Sequence, residues 1–263
     1  MNGSSTTQRG SKEDGKPRVQ SVARAVDIVL AVAASRDGLR VAEIREALGL
    51  PLQATYHLLH TLRETGLLRK NEQDRITLGI RAGNIADGFA RQFSGPDYLQ
   101  QLVRDLARRT GETSYAGRWI DKDVVSFAME PGTNPIHAST DMSVRGGDLH
   151  ARASAKLLMS YLDPSELNKV INTIDFRKRT ARTIATREGL LEEIDKVRAR
   201  GYALDEEEYL DELCCVAVPI RIAGEVYALC TSMPAKQYQH NLDTILSKML
   251  SAANASGGLA LAE

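Results

Sequence analysis

Residues 41–80 read VAEIREALGLPLQATYHLLHTLRETGLLRKNEQDRITLGI, and this stretch decides the fold. Val41, Ile44 and Leu48 fall on one stripe of a short helix, as the core side of an amphipathic helix does. Gly49 suits the left-handed position that ends a helix, and Pro51 suits the first turn of the next one. A second helical stripe consists of Thr55, Leu58, Leu59 and Leu62. The stretch therefore predicts two helices joined by a tight turn.

Two short β-prone runs, residues 67–69 and 75–78, follow on either side of the polar turn 70–74 and predict a β-hairpin. A third helix is predicted before the stretch by apolar residues at helical spacing, which are Val22, Ala25, Val26, Val29 and Val32. Three short helices and a hairpin in this order are typical of a winged helix-turn-helix, in which the helices share one small core. An ordinary helical hairpin followed by a β-hairpin has the same pattern.

Basic side chains around the predicted hairpin favour the winged helix-turn-helix and DNA binding. Wings and helix ends commonly contact phosphates, while the exposed start of the second helix contacts base edges. The basic residues predicted to contact DNA are Arg18, Arg24, Arg63, Arg69, Lys70 and Arg75.

Composition limits the remaining classes. A chain of 263 residues suits one large or two small domains, and 34 basic residues balance 34 acidic ones, so the chain as a whole is not a polycation. No apolar run is long enough for a membrane span, and the polar start lacks the apolar segment of a secretory signal, so we expect a cytoplasmic protein without a membrane partner. The cysteines Cys214, Cys215 and Cys230 lack metal-ligand spacing, which predicts reduced, buried thiols and no metal.

The pattern changes after residue 80 and predicts four segments. These are a disordered tail at 1–17, the winged helix-turn-helix domain at 18–80, a linker helix at 81–96 and a second domain at 97–263. The tail is interpreted either as an inert arm or as a weak minor-groove arm using Arg9, Lys12 and Lys16. The small residues of the linker helix suit packing against a partner helix, and a solvated helix that packs on nothing is the alternative.

The second domain mixes predicted helices and strands. Helices are expected near 98–106, at 151–162, 165–174, 186–200 and 242–259, and strands at 114–120, 124–129, 136–139, 142–145, 216–220 and 226–232. Strands paired in hairpins with interspersed helices predict an α+β fold with a sheet covered by helices on one face. A ligand pocket is expected where loops meet the strand ends.

Several segments, in order, carry a resemblance to a known family. They are QSVARA at 20–25, GLP at 49–51, LLHTL at 58–62, GLL at 66–68, LHARASAK at 149–156, GYALDEEE at 201–208 and CVAVPI at 215–220. Together they make the chain resemble the IclR family of bacterial transcription regulators, from about Arg18 to Leu261. The resemblance implies binding to a double-stranded DNA operator, a GAF-like effector-binding domain at 97–263, and assembly as a homodimer or a dimer of dimers.

One departure from the family concerns the helix after Pro51. The family usually places Lys-Ser-Thr there and an Arg three positions further on, whereas this chain has Leu52, Gln53, Ala54 and then His57. The exposed face therefore offers Gln53, Tyr56 and His57, with His60 as either a further contact or a simply solvated residue. Gln can form a bidentate contact with adenine, and His can donate to guanine or to phosphate. The operator sequence consequently does not transfer from the family.

By position in the family, the effector pocket is implied to lie beside the helix at 151–162. Its predicted residues are Trp119, Ala153, Ser154, Asp205, Cys215, Cys230 and Ser232. Main-chain N–H groups of Ala153 and Ser154 would face a ligand carboxylate, and Asp205 would accept from a ligand hydroxyl or amine. Trp119 either covers the pocket or fills core, and Arg152 either pairs with an acid or is exposed. A small organic acid is the expected effector, with no cofactor.

These patterns predict a DNA-binding transcriptional regulator, a repressor rather than an activator, whose operator binding a small organic acid modulates. Two alternatives remain, and the first is a second domain that serves only oligomerisation. The other is an enzyme, which we do not expect because Ser154 and Lys156 lie two positions apart on a helix and do not face one another. The carboxylates at 205–208 are expected to point to different sides, and the chain has no phosphate loop or dinucleotide motif.

Overall fold

The computed structural model describes residues 17–92, 95–138 and 147–255 of the chain. These residues form two compact units, one within 1–93 and the other within 94–263. The described residues combine helices with a five-stranded sheet, which confirms the predicted α+β class. No helix in the described ranges is both long enough and apolar enough to cross a membrane.

The first unit contains four helices and a hairpin. Its elements are α1 (Gln20–Ala33), α2 (Val41–Leu48), α3 (Leu52–Glu64), β1 (Leu68–Lys70), β2 (Ile76–Leu78) and α4 (Ile80–Gln92). Gly49 has φ +61° and ends α2, which is why a residue without a side chain stands at the turn. The two strands pair antiparallel, with Leu68 opposite Leu78. This order of elements confirms the predicted winged helix-turn-helix.

The core of the first unit corrects the prediction for α1. Val22 and Val26, which were expected to be buried, are 60% and 51% exposed, whereas Val32 is buried as expected, together with Ile28, which was not predicted. The other core residues are Ile44, Leu50, Leu59, Leu62, Leu68 and Ile76. α1 carries two apolar faces, and a core built from two short helices and a hairpin covers only one of them. The face with Val22 and Val26 therefore remains exposed in the single chain.

The second unit is built around an antiparallel sheet of order β4-β3-β7-β6-β5. Its elements are α5 (Asp97–Thr110), β3 (Thr113–Ile120), β4 (Asp123–Glu130), a 3-10 helix (Leu149–Ala151), α6 (Ala153–Met159), α7 (Pro164–Ile171), α8 (Arg187–Arg200), β5 (Ala203–Glu206), β6 (Leu213–Ile222), β7 (Glu225–Pro234) and α9 (Ala235–Ala255). β6 and β7 form the predicted hairpin around Ala223 and Gly224.

Helices cover both faces of this sheet, so the expectation of a single covered face was wrong. α5 and α9 pack on one face together with Val216 and Val218, whereas α6, α7 and α8 pack on the other with Cys215 and Ala217. The reason lies in β6, whose residues from Cys214 to Ile220 are all buried. A strand that is apolar on both sides needs a cover on both sides.

Other predicted elements changed in length or identity. Residues 136–138 form an irregular loop rather than the predicted strand, while 142–145 lie outside the described residues. The loop is held in part by the side chain of Thr113, whose Oγ1 donates to the carbonyl of Ala138 and accepts from the N–H of Gly132. The helix predicted at 151–162 is shorter and begins as a 3-10 turn, and β5 was not predicted. The predicted tail lies outside the described residues except for Pro17.

Candidate DNA-contacting surface and buried polar cluster

The exposed face of α3 carries the three residues predicted to contact base edges. Thr55, Leu59 and Leu62 are buried against the core of the unit. Gln53 and His57 are exposed on the other side of the helix, together with Tyr56, which is 56% exposed. This division follows from the helical repeat, because residues three and four apart share a face. The start of α3 thus presents amide, phenol and imidazole groups outward.

The predicted phosphate contacts differ in how freely they face solvent. Arg18, Arg24, Arg63 and Arg69 are exposed. Lys70 is also exposed, and its ammonium lies 2.8 Å from the carboxylate of Asp74 in the turn of the hairpin. An exposed ion pair of this kind contributes little to stability, so Lys70 can exchange Asp74 for a phosphate at low cost.

Arg75 has a structural role that the sequence did not reveal. Its Nε donates to the carbonyl of Gly38 at 3.0 Å, and its Nη2 lies 3.1 Å from Oε2 of Glu43. The same carboxylate oxygen accepts from the N–H of Arg40 at 2.7 Å, at the start of α2. Arg75 therefore ties the hairpin to the first turn of α2.

In the second unit, strand register places several predicted pocket residues side by side. Asp205 pairs with Cys215, and Cys215 pairs with Ser232, so the three side chains project from the same face of adjacent strands. Sγ of Cys215 lies 2.8 Å from Oγ of Ser232. This face is the one that α6 covers, with Ala153 and Cys230 in the same buried cluster.

Tyr115 lies on the same face of the sheet, two residues further along β3 than the residue that pairs with Ser232, although the sequence did not single it out. It stands opposite Cys230 in the β3–β7 pairing and packs against the buried cluster that contains Cys215 and Cys230. Strand alternation alone could have placed Tyr115 on one face of β3. Which face that was became clear only from the register with β7.

A buried ion pair lies between α6 and the loop after β5. Lys156 is fully buried, and its Nζ donates to Oε1 of Glu208 at 2.5 Å. The N–H groups of Glu208 and Tyr209 donate to Oδ1 of Asp205 at 2.8 and 3.2 Å. Asp205 therefore holds the loop that carries Glu208, and Lys156 holds the side chain of Glu208. Neither Lys156 nor Glu208 was predicted as a site residue.

The loop with Glu208 is also fixed from its outer side. Arg179 donates through Nε to the carbonyl of Tyr209 at 2.7 Å, and its guanidinium lies 4.2 Å from the centre of the Tyr209 ring. The hydroxyls of Thr180 and Thr183 donate to the carbonyls of Glu207 and Glu208, both at 2.7 Å. The segment around 179–183 thus stabilises the position of the loop.

Burial controls the protonation of the cluster. It raises the pKa of Asp205 to about 6, although the ammonium of Lys156 and, more weakly, the guanidinium of Arg152 act in the opposite direction. Burial likewise raises the pKa of Glu208 to about 7, against the effect of Lys156. Burial also raises the pKa of the Cys215 thiol well above its usual value. Burial therefore keeps the Cys215 thiol neutral and disfavours charge on both carboxylates, while Lys156 acts against this effect at the carboxylates.

Six of the seven predicted effector residues are buried in α6 or on the sheet face that α6 covers, and one does not join them. Ala153, Ser154, Asp205, Cys215, Cys230 and Ser232 are all buried there. Trp119 is half-buried on the same face of β3 as Tyr115 but four residues further along the strand. Four residues of strand correspond to roughly 13 Å. Its role at the pocket stays a prediction, and its packing is that of a core residue.

A winged helix-turn-helix followed by a sheet domain with a buried polar cluster defines a class, the two-domain DNA-binding regulators. Two family models match this chain. The IclR helix-turn-helix domain matches residues 21–72, and the model described as bacterial transcriptional regulator IclR C-terminal matches residues 97–256. The chain belongs to the IclR family of bacterial DNA-binding transcriptional regulators.

Individual relatives agree with this assignment. The chain is 30% identical to the transcriptional regulator BhcR of Paracoccus denitrificans, over 83% of this chain and 78% of that protein. It is 29% identical to the regulator XynR of Escherichia coli, over 78% of this chain and 81% of that protein. It is 24% identical to the E. coli transcriptional repressor IclR, over 77% of this chain and 75% of that protein.

Crystal structures share the fold at lower identity. The IclR protein of Thermotoga maritima is 23% identical, with a TM-score of 0.62 over 91% of this chain and 99% of that chain. An IclR homologue of Microbacterium hydrocarbonoxydans, complexed with 4-hydroxybenzoate, is 18% identical, with a TM-score of 0.63 over 90% of this chain and 100% of that chain.

Proposed function

We propose that this protein is a transcriptional repressor whose binding to a DNA operator is controlled by a small organic acid in the second unit. The observation that carries the proposal is the buried polar row of Asp205, Cys215 and Ser232 on the sheet face that α6 covers, in a family of DNA-binding regulators. The hydroxyl of Ser154 on α6 is buried and has no hydrogen-bond partner among the described residues, a cost that a bound ligand would remove and that a domain serving only oligomerisation would not explain. The E. coli relative described as a repressor supports the direction of control.

Operator contact is assigned to the first unit. The start of α3 enters the major groove, where Gln53 and His57 contact base edges and Tyr56 contacts bases or backbone. Arg18, Arg24, Arg63, Arg69 and Lys70 hold phosphates, and Arg75 supports the wing through Gly38 and Glu43. The phosphate contacts set the affinity and its salt dependence, whereas α3 sets the sequence.

The effector is assigned to the layer between α6 and the sheet. The main-chain N–H groups of Ala153 and Ser154 and the guanidinium of Arg152 provide donors for a carboxylate. Arg152 is half-buried directly before α6 and lies close enough to Asp205 to lower its pKa. In this assignment, Cys215, Cys230 and Ser232 form the wall of the effector pocket. That a homologue of the same fold was crystallised with an aromatic acid supports this ligand class.

A dimer is assigned to the exposed apolar face of the first unit. Val19, Val22, Val26 and Leu30 follow one another along α1, and Val22, Val26 and Leu30 line a groove of about 540 Å³ together with Ile85 of α4. A second copy of this face would bury these side chains and place two α3 helices in successive grooves. The second units would then pair two dimers. An effector changes operator affinity only as far as it prefers one arrangement of this assembly.

The test combines operator discovery with ligand binding. Genomic DNA fragments retained by the purified protein are sequenced, and a shared motif is expected. The same protein is heated with a panel of small carboxylic acids, of which at least one should raise the melting temperature and weaken retention of the motif. If the retained fragments shared no motif, binding to a specific operator would be refuted. If an acid stabilised the protein without changing retention, control by the effector would be refuted, and if no acid stabilised it, the second unit would serve assembly only.

A further inference from the structure

The cluster beside α6 contains more hydrogen-bond acceptors than donors. Two carboxylates, Asp205 and Glu208, lie near the ammonium of Lys156, and the guanidinium of Arg152 also lies near Asp205. Lys156 is fully buried, and Glu208 and Asp205 are 8% and 1% exposed, so solvent does little to satisfy the oxygens of the two carboxylates. Oδ1 of Asp205 is occupied by two main-chain N–H groups, and Oε1 of Glu208 is occupied by Lys156.

The second oxygen of Glu208 is the atom that points to a ligand. Oε2 is buried and has no hydrogen-bond partner within residues 17–92, 95–138 and 147–255. Oγ of Ser154, also fully buried, has none in the same ranges. Native structures leave few buried polar atoms without a partner, and such atoms call for a specific explanation. A ligand that brings its own hydrogen-bond donor would satisfy Oε2.

We infer that the effector carries a hydroxyl or amino group in addition to its carboxylate, and that Glu208, held by Lys156, accepts a hydrogen bond from that group together with Asp205. This inference rests on the proposed function, because it concerns the same pocket. The effector is then a hydroxy acid or an amino acid rather than a plain alkyl or aryl carboxylate. Lys156 acts as a positioning residue, since it fixes which oxygen of Glu208 remains available.

Discrimination of this kind is strong when it depends on buried acceptors. A site that is built to accept from a substrate hydroxyl discriminates sharply against the analogue that lacks it, because the acceptor is then buried without a partner. An apolar pocket, by contrast, distinguishes such a pair only weakly. The ratio of affinities within a matched pair of acids therefore reports directly on Glu208.

The experiment measures dissociation constants for pairs of acids that differ by one donor group. Suitable probes are 4-hydroxybenzoate with benzoate, lactate with propionate, alanine with propionate, and 3-hydroxybutyrate with butyrate. In at least one pair, the donor-bearing acid should bind the full-length protein at least about tenfold more tightly. If the donor-free member bound equally well in every pair that binds, the inference would fail while the proposed function stood. If no acid bound, both would fail together.

Glu208→Gln tests the assignment to one oxygen. The amide can keep an acceptor on Lys156 but presents an N–H₂ group where Oε2 was, so the preference for the donor-bearing acid should fall to within about threefold. Glu207→Gln is the matched control, because the carboxylate of Glu207 does not contact Lys156. It accepts from the main-chain N–H of Glu212 and pairs with the guanidinium of Arg182. An unchanged preference in Glu208→Gln would overturn the assignment. Operator binding by each variant establishes that the variant is folded. If Glu208→Gln does not fold, the affinity ratios of the wild type for the matched pairs of acids decide whether the effector needs a donor group.

Discussion

At the scale of single residues, the buried carboxylates of the second unit link protonation to stability. Burial raises the pKa of Glu208 from an ordinary 4.5 to about 7, with Lys156 opposing the change. In the pH range between these two values, the native protein holds a proton that the unfolded chain has released. Each increase of pH across this range therefore favours the unfolded state, and the contribution is complete below the unfolded pKa and lost above the native one.

This linkage predicts how Glu208→Gln changes the pH dependence of stability, because an amide does not titrate. Between about pH 4.5 and pH 8, the free energy of unfolding of the wild type should fall by about 1–3 kcal/mol relative to the variant. Urea unfolding at a series of pH values measures this difference. Asp205 titrates in both proteins, so its contribution to the pH dependence largely cancels in the difference between them. Parallel curves for the two proteins would show that Glu208 keeps an ordinary pKa in the native state.

Gly79 shows how a single backbone contact fixes the end of the wing. A Cβ atom at this position would lie 2.2 Å from the carbonyl oxygen of Gly66, and the N–H of Gly79 donates to the carbonyl of Leu67 at 2.8 Å. The contact is with main chain, which cannot move aside as a flexible side chain would. Only glycine therefore allows the chain to pass from β2 into α4 along this path.

Gly79→Ala should consequently destabilise the protein by about 2 kcal/mol or more, through overpacking and displacement of the main chain. Gly83→Ala in α4 is the control, because nothing lies within 4 Å of a Cβ there and alanine favours a helix by roughly 0.5–1 kcal/mol. Thermal unfolding of both full-length variants gives the comparison. Equal effects of the two substitutions would show that the Gly66–Gly79 contact is not important.

At the scale of elements, α3 divides its residues between the core and an exposed face, to which we assign operator contact. Thr55, Leu59 and Leu62 fix the helix in the unit, so substitutions on the opposite face should alter recognition without unfolding it. In the proposed function, by contrast, the wing contacts phosphates through Arg69 and Lys70 and contacts no base edges. The two elements should therefore respond differently to the removal of one side chain.

The double variant Gln53→Ala, His57→Ala should lower the ratio of operator to non-specific affinity by about tenfold or more, since a good base contact contributes about 1–3 kcal/mol. Arg69→Ala should weaken binding to all sequences alike and reduce the slope of log affinity against log salt by about one. Titrations with operator and random duplexes at several salt concentrations measure both effects. An unchanged preference in the double variant would place the base-contacting face elsewhere.

At the scale of the whole molecule, the apolar face of α1 sets the expected assembly. Val26 is 51% exposed in the single chain and lies in the apolar groove with Val22 and Leu30. Val26→Glu places a charge in the proposed dimer interface and should shift sedimentation toward the smaller species at a given concentration, with a parallel loss of operator affinity. Asp27→Asn, on an exposed polar position of the same helix, is the control. Normal assembly of Val26→Glu would assign the dimer to other surfaces.

The sequence by itself determined the order of helices and hairpin in the first unit, the class of the second and the family. Local sequence determines these features, through the periodicity of apolar residues and through the Gly and Pro residues at helix ends. It also predicted Ser154, Asp205, Cys215 and Ser232 as effector-pocket residues, because they lie in or beside the family motifs, and the structure shows that all four are buried. The limit of such signals is visible at α1, where both apolar stripes have helical spacing and nothing local distinguishes them.

Only the tertiary structure decided which stripe of α1 is buried, that helices cover both faces of the sheet, and that Arg75 fastens the wing. It alone revealed Tyr115 and the pair of Lys156 with Glu208, whose partners stand 52 positions apart in the chain. The physical reason is the same in each case. Burial and pairing depend on neighbours that strand register and helix packing bring together, and these neighbours are distant in sequence.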